Sequence, residues 1–345
     1  MDSNQHGLLR VYNEGVSNRS RIAWLLSAIL VAFYLDLYFT EHLTPLAASF
    51  GLLNKWTLYG LMYTVAILIG GIYFLRRHGN NRYHFYRTLT IIAVQIFFGF
   101  SIPYVMLLFA GHEYYFSYFW PLKIEYFYPA VILKKPLPFI LYSFVGSLLV
   151  FPVLALLLGK RFYCSWICGC GGLANTAGDS FRHLSSKSTK AWKIEQFSIH
   201  TVLFLALFLT AVVFINWRVG EKYPAFSYWA FKLQDFYGFW IGAMWAGVIG
   251  VGLYPLMGTR VWCRFGCPMA ALLGVIQKFG RFRITVKEDM CIACGNCSAH
   301  CEMGIDVRLY AMKNQSFTRA SCVGCGMCAH VCPRGVLKLE NKWGS

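Results

Sequence analysis

The stretch GKRFYCSWICGCGGL, residues 159–173, follows about twenty apolar residues, and the chain repeats its pattern at 258–272 as GTRVWCRFGCPMAAL. Gly159 matches Gly258, Arg161 matches Arg260, and Cys164-x3-Cys168 matches Cys263-x3-Cys267. An aromatic residue precedes the first cysteine each time, Tyr163 and then Trp262. Each unit reads as a spanning helix, a basic boundary, a C-x3-C and a second, shorter apolar stretch. This is an internal duplication with a spacing of 99 residues. Both helices exit on the same side, so the two cysteine pairs lie at one depth, where two thiolates from each half can close a four-thiolate site. Three readings stand side by side for Cys164, Cys168, Cys263 and Cys267. They are unligated buried thiols, a metal site (a further iron–sulfur cluster or another metal), or redox-active dithiols. Pro268 suits the first position of a helix, and the free N–H groups there favour thiolate at Cys267. Cys170 has no counterpart, because Met269 stands at that place; it reads equally as a spare ligand or a small apolar residue.

Composition decides the setting. The 345 residues are 57% hydrophobic and only 14% charged, far too apolar for a soluble domain, yet the net charge is +17. Six segments are long and apolar enough to span a bilayer: 22–40, 57–75, 89–110, 138–158, 198–217 and 237–257. Lys and Arg fall unevenly between alternate sides. Three precede the first segment, four lie between the second and third, six between the fourth and fifth, and five between the sixth and residue 283, eighteen in all. The opposite loops hold seven. The positive-inside rule therefore predicts both termini in the cytoplasm. The basic residues are scattered over loops and form no stripe, which argues against nucleic-acid binding. The polar first twenty residues show no small-residue cleavage site after a short apolar run, so no cleavable leader is expected. All 13 cysteines lie at or after position 164, in segments the charge rule places inside. Thiols on a reducing side read as metal ligands rather than disulfides.

From Lys287 the composition changes. CIACGNCSAHC (291–301) and CVGCGMCAHVCP (322–333) both carry the C-x2-C-x2-C-x3-C spacing. Three thiolates two residues apart wrap one face of a cubane, and the fourth, beyond the turn, serves the other cluster. Cys291, Cys294, Cys297 and Cys332 are thus assigned to one [4Fe–4S] cluster, and Cys322, Cys325, Cys328 and Cys301 to a second. Gly295, Gly324 and Gly326 suit loops whose backbone must approach sulfide closely. Zinc also accepts four cysteines, but eight in duplicated ferredoxin order favour iron–sulfur clusters. The first run ends Cys301-Glu302 rather than Cys-Pro, which alters the local charge near a cluster. The expected architecture is an all-α membrane domain of six transmembrane helices, both termini inside, joined to a small α+β bacterial 2[4Fe–4S] ferredoxin-like domain. Residues 1–80 hold two extra N-terminal helices, 81–283 a four-helix core with the duplicated units, and 284–345 the cytoplasmic ferredoxin.

The order of Arg87-x7-Gln95 on a spanning segment, two C-x3-C units and an eight-cysteine ferredoxin resembles the NapH/NosR/CcoG superfamily of polyferredoxin-like membrane proteins over about residues 85–345. The second unit (Cys263, Cys267, Pro268) matches the family pattern in full, whereas the first has Gly169-Cys170 in place of proline. Two additional helices precede residue 80, and an outer flavin domain of the NosR kind is not seen. The resemblance implies electron transfer from quinol to reductases, or a part in copper-oxidase assembly. It also implies a bacterial inner (cytoplasmic) membrane location, among lipid and quinone, with other redox subunits or a reductase as partners.

Quinol oxidation releases two electrons and two protons, so it calls for an apolar slot with a group that takes protons. The aromatic loop 111–136 offers His112, Glu113 and Glu125, although an interfacial aromatic belt accounts for such a loop equally well. The expected function is single-electron transfer between the quinone pool and a redox partner, with a quinol dehydrogenase activity left open. The alternatives are a copper-reducing, metal-handling assembly factor for an oxidase, and a non-catalytic electron-wire or structural subunit.

Overall fold

A computed structural model describes residues 19–342. The polar N-terminal segment read for a leader lies outside these residues except for its last two positions, as do Arg10 and residues 343–345. Five helices are long and apolar enough to cross a membrane: α1 Arg21–Phe39, α2 Lys55–His78, α3 Arg82–Ala110, α4 Leu137–Leu158 and α5 Thr189–Val219. They make this a membrane protein. Their starts follow local chemistry. The side chain of Ser20 accepts from Ala23 N at 3.2 Å, Asn54 from Thr57 N at 2.8 Å, Asn81 from Tyr83 N at 2.9 Å and Ser188 from Ala191 N at 3.2 Å. Each satisfies a donor that the first helical turn leaves open. Large apolar side chains point outward; Phe109 is 87% and Phe197 76% exposed, as suits contact with lipid.

The sixth expected segment, 237–257, takes a different form. Helix α6 begins at Pro224, whose missing N–H costs nothing at a first position. It runs to Tyr237 and continues to Ile249 with wider i→i+5 bonding. The chain then turns at 250–253 and re-forms only one helical turn, Tyr254–Met257.

The duplication persists in three dimensions. The short helix Arg161–Cys164 corresponds to Val261–Phe265, and Gly169–Asn175 to α7, Pro268–Lys278. Equivalent bonds shape both loops: Cys168 N donates to Tyr163 O at 2.9 Å, and Cys267 N to Trp262 O at 3.0 Å.

The ferredoxin follows. Strands β1 Phe282–Val286 and β2 Leu337–Asn341 pair antiparallel, with Ile284 opposite Leu339. Gly295, Gly324 and Gly326 have φ of 83°, 58° and 83°, where a side chain would be strained. The ferredoxin is seated on the membrane domain. Tyr83 Oη donates to Gly324 O at 2.7 Å and Ser165 Oγ to Val323 O at 2.7 Å. One buried core runs from Cys164, Cys168, Cys263 and Cys267 through Phe282, Ile284 and Val323 of the ferredoxin.

Candidate functional site

Two cavities lie in the ferredoxin and a third in the membrane domain. One, of about 350 Å³ with its mouth included, is lined by Cys291, Cys294, Cys297 and Cys332. The next, of about 390 Å³, is lined by Cys301, Cys322, Cys325 and Cys328. Each fourth cysteine thus crosses to the other run's cavity. Burial pushes the Cys322 thiol up to about 12 and Cys325 up to about 11. Thiols in such surroundings become thiolates only by binding a cationic centre. The four-sulfur lining, the pocket sizes and the N–H donated from Val336 to Cys332 Sγ at 3.4 Å fit cubane clusters. Among the described residues, no three His, Cys, Asp or Glu side chains converge as a site for a single ion.

Cys164, Cys168, Cys263 and Cys267 are all buried in the shared core. At Cys267 the expected helix N-terminus is present, and Ala270 N donates to its sulfur at 3.4 Å. Burial and the neighbouring thiols nevertheless push this cysteine well above its ordinary value, so the predicted preference for thiolate fails there. Burial outweighs one N–H group because it disfavours the charged form outright. Cys168 shows the opposite effect. The adjoining Cys170 thiol, with the backbone N–H groups of Gly171 and Cys170, holds Cys168 below its ordinary value against burial. The first unit can do this because Cys170 stands where the second has Met269. Gly171 is required by the fold: a Cβ there would stand 2.0 Å from Cys164 O.

The third cavity is large and aromatic. Its walls include Tyr34, Tyr38, Tyr59 and Tyr63 from α1 and α2, Gln95 and Gly99 from α3, Tyr115 and Tyr118, and the wide-turned part of α6. Its outer end carries Glu113, Glu125 and Asp235, and its floor is Cys170, Trp262 and Pro268. Two of the expected quinol residues therefore line it; the third, His112, turns to Ala110 O at 2.8 Å and does not. Tyr115 Oη donates to Glu113 at 2.6 Å. Gln95 donates to Thr64 Oγ1 at 3.2 Å, while Arg87, its partner in the sequence motif, donates to Cys325 O of the ferredoxin.

Between the membrane quartet and the second ferredoxin quartet lies a buried ionic node that the spacing of the cysteines did not announce. Arg260 pairs with Glu302 at 2.9 Å, and Arg182 pairs with Asp179 at 2.8 Å and with Glu302 at 3.5 Å. Burial pushes the Glu302 carboxyl up, but Arg260 and Arg182 outweigh it and hold the group below its ordinary value. The sequence signals were the Cys301-Glu302 departure and Arg260. Arg161, the copy of Arg260, instead sits over the Phe282 ring and donates to Asn341 at 3.1 Å.

Comparison with known proteins agrees with this geometry. A family model described as a 4Fe-4S dicluster domain matches residues 284–339, and one described as a 4Fe-4S binding domain matches twice, at 140–188 and 237–287. Similar proteins include YccM of Escherichia coli, 29% identical over 46% of this chain and 46% of its own length. The methylamine utilization ferredoxin-type protein MauN of Methylobacillus flagellatus is 29% identical over 55% of this chain and 65% of its own. The ferredoxin-type protein NapH of Escherichia coli is 25% identical over 59% and 69%. The chain thus spans about half to two thirds of the curated relatives it matches. No solved structure matches it. Both iron–sulfur models and these relatives support a place for the chain among polyferredoxin-like iron–sulfur electron-transfer proteins.

Proposed function

We propose that the protein exchanges single electrons between a membrane quinone and a redox partner, as a subunit of a larger respiratory or reductase system. The observation that carries this reading is the floor of the aromatic cavity. Cys170 lines that cavity and stands two residues after Cys168 of the membrane quartet. A carrier bound against this floor would therefore sit next to the quartet, which supports a short electron path between them. The cavity offers about 960 Å³, at the upper end of the roughly 300–1,000 Å³ of an ordinary ligand pocket. That leaves room for a ring and part of an apolar tail. Glu113 and Glu125 at the outer end are placed to accept the protons that quinol oxidation releases.

Each ferredoxin quartet would hold a [4Fe–4S] cluster, and the membrane quartet a third iron–sulfur group; such groups store one electron at a time. The description of the family model that matches both C-x3-C units supports the membrane assignment. The protein's own residues provide burial, fixed separation and counter-charge. The ferredoxin lies on the side that carries most Lys and Arg, which supports a cytoplasmic position. Helices α1 and α2 supply tyrosines to the cavity, and this favours carrier binding over a purely structural role.

The test is a cavity-filling variant. Gly242 lines the cavity, and a Cβ there meets nothing within 4 Å, so Gly242→Phe should block the space while leaving the helix intact. Purified wild type should be reduced by a short-chain quinol, as followed by bleaching of its visible absorbance. The variant should keep its iron and lose at least tenfold in rate. Equal rates in the two proteins would remove the cavity from the reaction.

A further inference from the structure

We propose that the Arg260–Glu302 ion pair is the electrostatic coupling between the membrane quartet and the second ferredoxin quartet, setting their relative reduction potentials. The proposal rests on reading both quartets as iron–sulfur sites, and it requires no quinone. Arg260 reaches in both directions. Its Nη1 donates to Cys263 Sγ at 3.6 Å and to Cys164 O at 3.1 Å, while Nη2 pairs with Glu302 Oε1 at 2.9 Å. Glu302 directly follows Cys301, a ligand of the second quartet. Arg182 closes the far side, pairing with Glu302 at 3.5 Å and donating to Cys325 Sγ at 3.7 Å. Arg260 and Glu302 are both 0% exposed in their side chains.

Stability alone does not explain such a pair. A buried ion pair carries a desolvation penalty that often exceeds its Coulombic gain, so apolar residues would serve a purely structural joint as well. Its place is informative instead. With electrons passing singly between the two quartets, and no proton required, each transfer moves a negative charge from one side of the pair to the other. In a low-dielectric interior, a fixed charge a few ångströms away weighs heavily on that step. The node holds three guanidinium groups, Arg87, Arg182 and Arg260, against the carboxylates of Glu302 and Asp179. The uncompensated positive charge favours the reduced, more negative state of its neighbours, and Glu302 tempers that effect.

The sign follows. Glu302→Gln removes a negative charge beside the second quartet and releases Arg260 from its partner, so both sites become easier to reduce. Arg260→Gln removes the donor to Cys263 and makes the membrane site harder to reduce. The measurement is a redox titration of the full-length holoprotein with chemical mediators, followed by electron paramagnetic resonance. A positive shift in Glu302→Gln equal to a tenfold change in the reduction equilibrium, ~59 mV for one electron, supports the coupling, as does the opposite shift of the membrane signal in Arg260→Gln. Unchanged potentials in a fully iron-loaded Glu302→Gln protein overturn it. If that variant does not retain iron, Asp179→Asn decides. It removes one negative charge at the edge of the same node: a positive shift of the second ferredoxin signal supports the proposal, and no shift overturns it. A wild type with no signal beyond two ferredoxin clusters would refute the membrane-site reading and the coupling together, whereas unchanged potentials with that signal present refute the coupling alone.

Discussion

Gln277, on the helix that follows the second C-x3-C, donates to the carbonyl of Cys322 at 2.9 Å. The same amide donates to Arg319 O at 2.7 Å and accepts from Lys160 N at 2.9 Å. One side chain, 0% exposed, thus ties both halves of the membrane duplication to the loop that carries the second ferredoxin quartet. Gln277→Ala leaves the buried Lys160 N–H and two half-buried carbonyls without this partner. An unsatisfied buried group costs ~1–3 kcal/mol, so the variant should lose at least about 1–3 kcal/mol. Thermal unfolding of the solubilised holoprotein checks this, and a midpoint equal to wild type would contradict it.

The membrane quartet makes a prediction about metal content. Two cubanes need about eight irons, and wild type should exceed that number. Cys164→Ala combined with Cys263→Ala should return the content to about eight while leaving the ferredoxin signals in place. Iron and acid-labile sulfide assays decide the matter; equal content in both proteins would leave the four thiols without a cluster.

Gly171 is where the first unit is tightest. An alanine there would press a Cβ against Cys164 O at 2.0 Å, a backbone atom that cannot swing away. Gly171→Ala should therefore displace the Cys164 loop at a cost of ~1–3 kcal/mol and lower the iron retained by the membrane quartet. Gly242→Ala, at an open position, is the matched control and should behave as wild type.

A second buried pair, Arg264 with Glu195 at 2.6 Å, ties the start of α5 to the second C-x3-C unit. Arg264 also donates to Ser186 O at 2.6 Å. Glu195→Ala strands a buried guanidinium and should destabilise by ~3–5 kcal/mol. Replacing both partners, Glu195→Leu with Arg264→Met, should recover most of that loss. Unfolding midpoints of the single and double variants give the comparison, and a double variant no better than the single would show that the charge has another role.

How much of this was legible beforehand depends on the length scale of each feature. Cysteine spacing is a local code. Within a few residues it sorted Cys291, Cys294, Cys297 and Cys332 from Cys301, Cys322, Cys325 and Cys328, and the two cavities are lined by the same groups. Hydropathy is equally local and located the segments that became five long helices. The sixth segment is equally apolar, but its helix starts earlier, at Pro224, and breaks into a turn at 250–253, bounds that hydropathy does not encode. The duplication was visible as text, and its bonds repeat in space.

Other features came into being only when distant parts met. Arg182, Arg260 and Arg264 read as basic loop residues on the inner side and Arg87 as part of a motif on a spanning segment, but all four are buried, three of them against the ferredoxin quartet or its carboxylate and one against Glu195. Docking gave those charges partners, and no local pattern encodes which carboxylate a guanidinium will meet. Cys170 had no assigned role until the fold set it in the lining of the cavity. The tyrosines of α1 and α2 likewise acquired a shared surface only through helix packing. By itself the sequence determined the cysteine sets, the membrane segments and the repeat, since each is written in short-range spacing. The tertiary structure alone decided the charge pairing and the cavity, because burial and electrostatics depend on which surfaces come into contact.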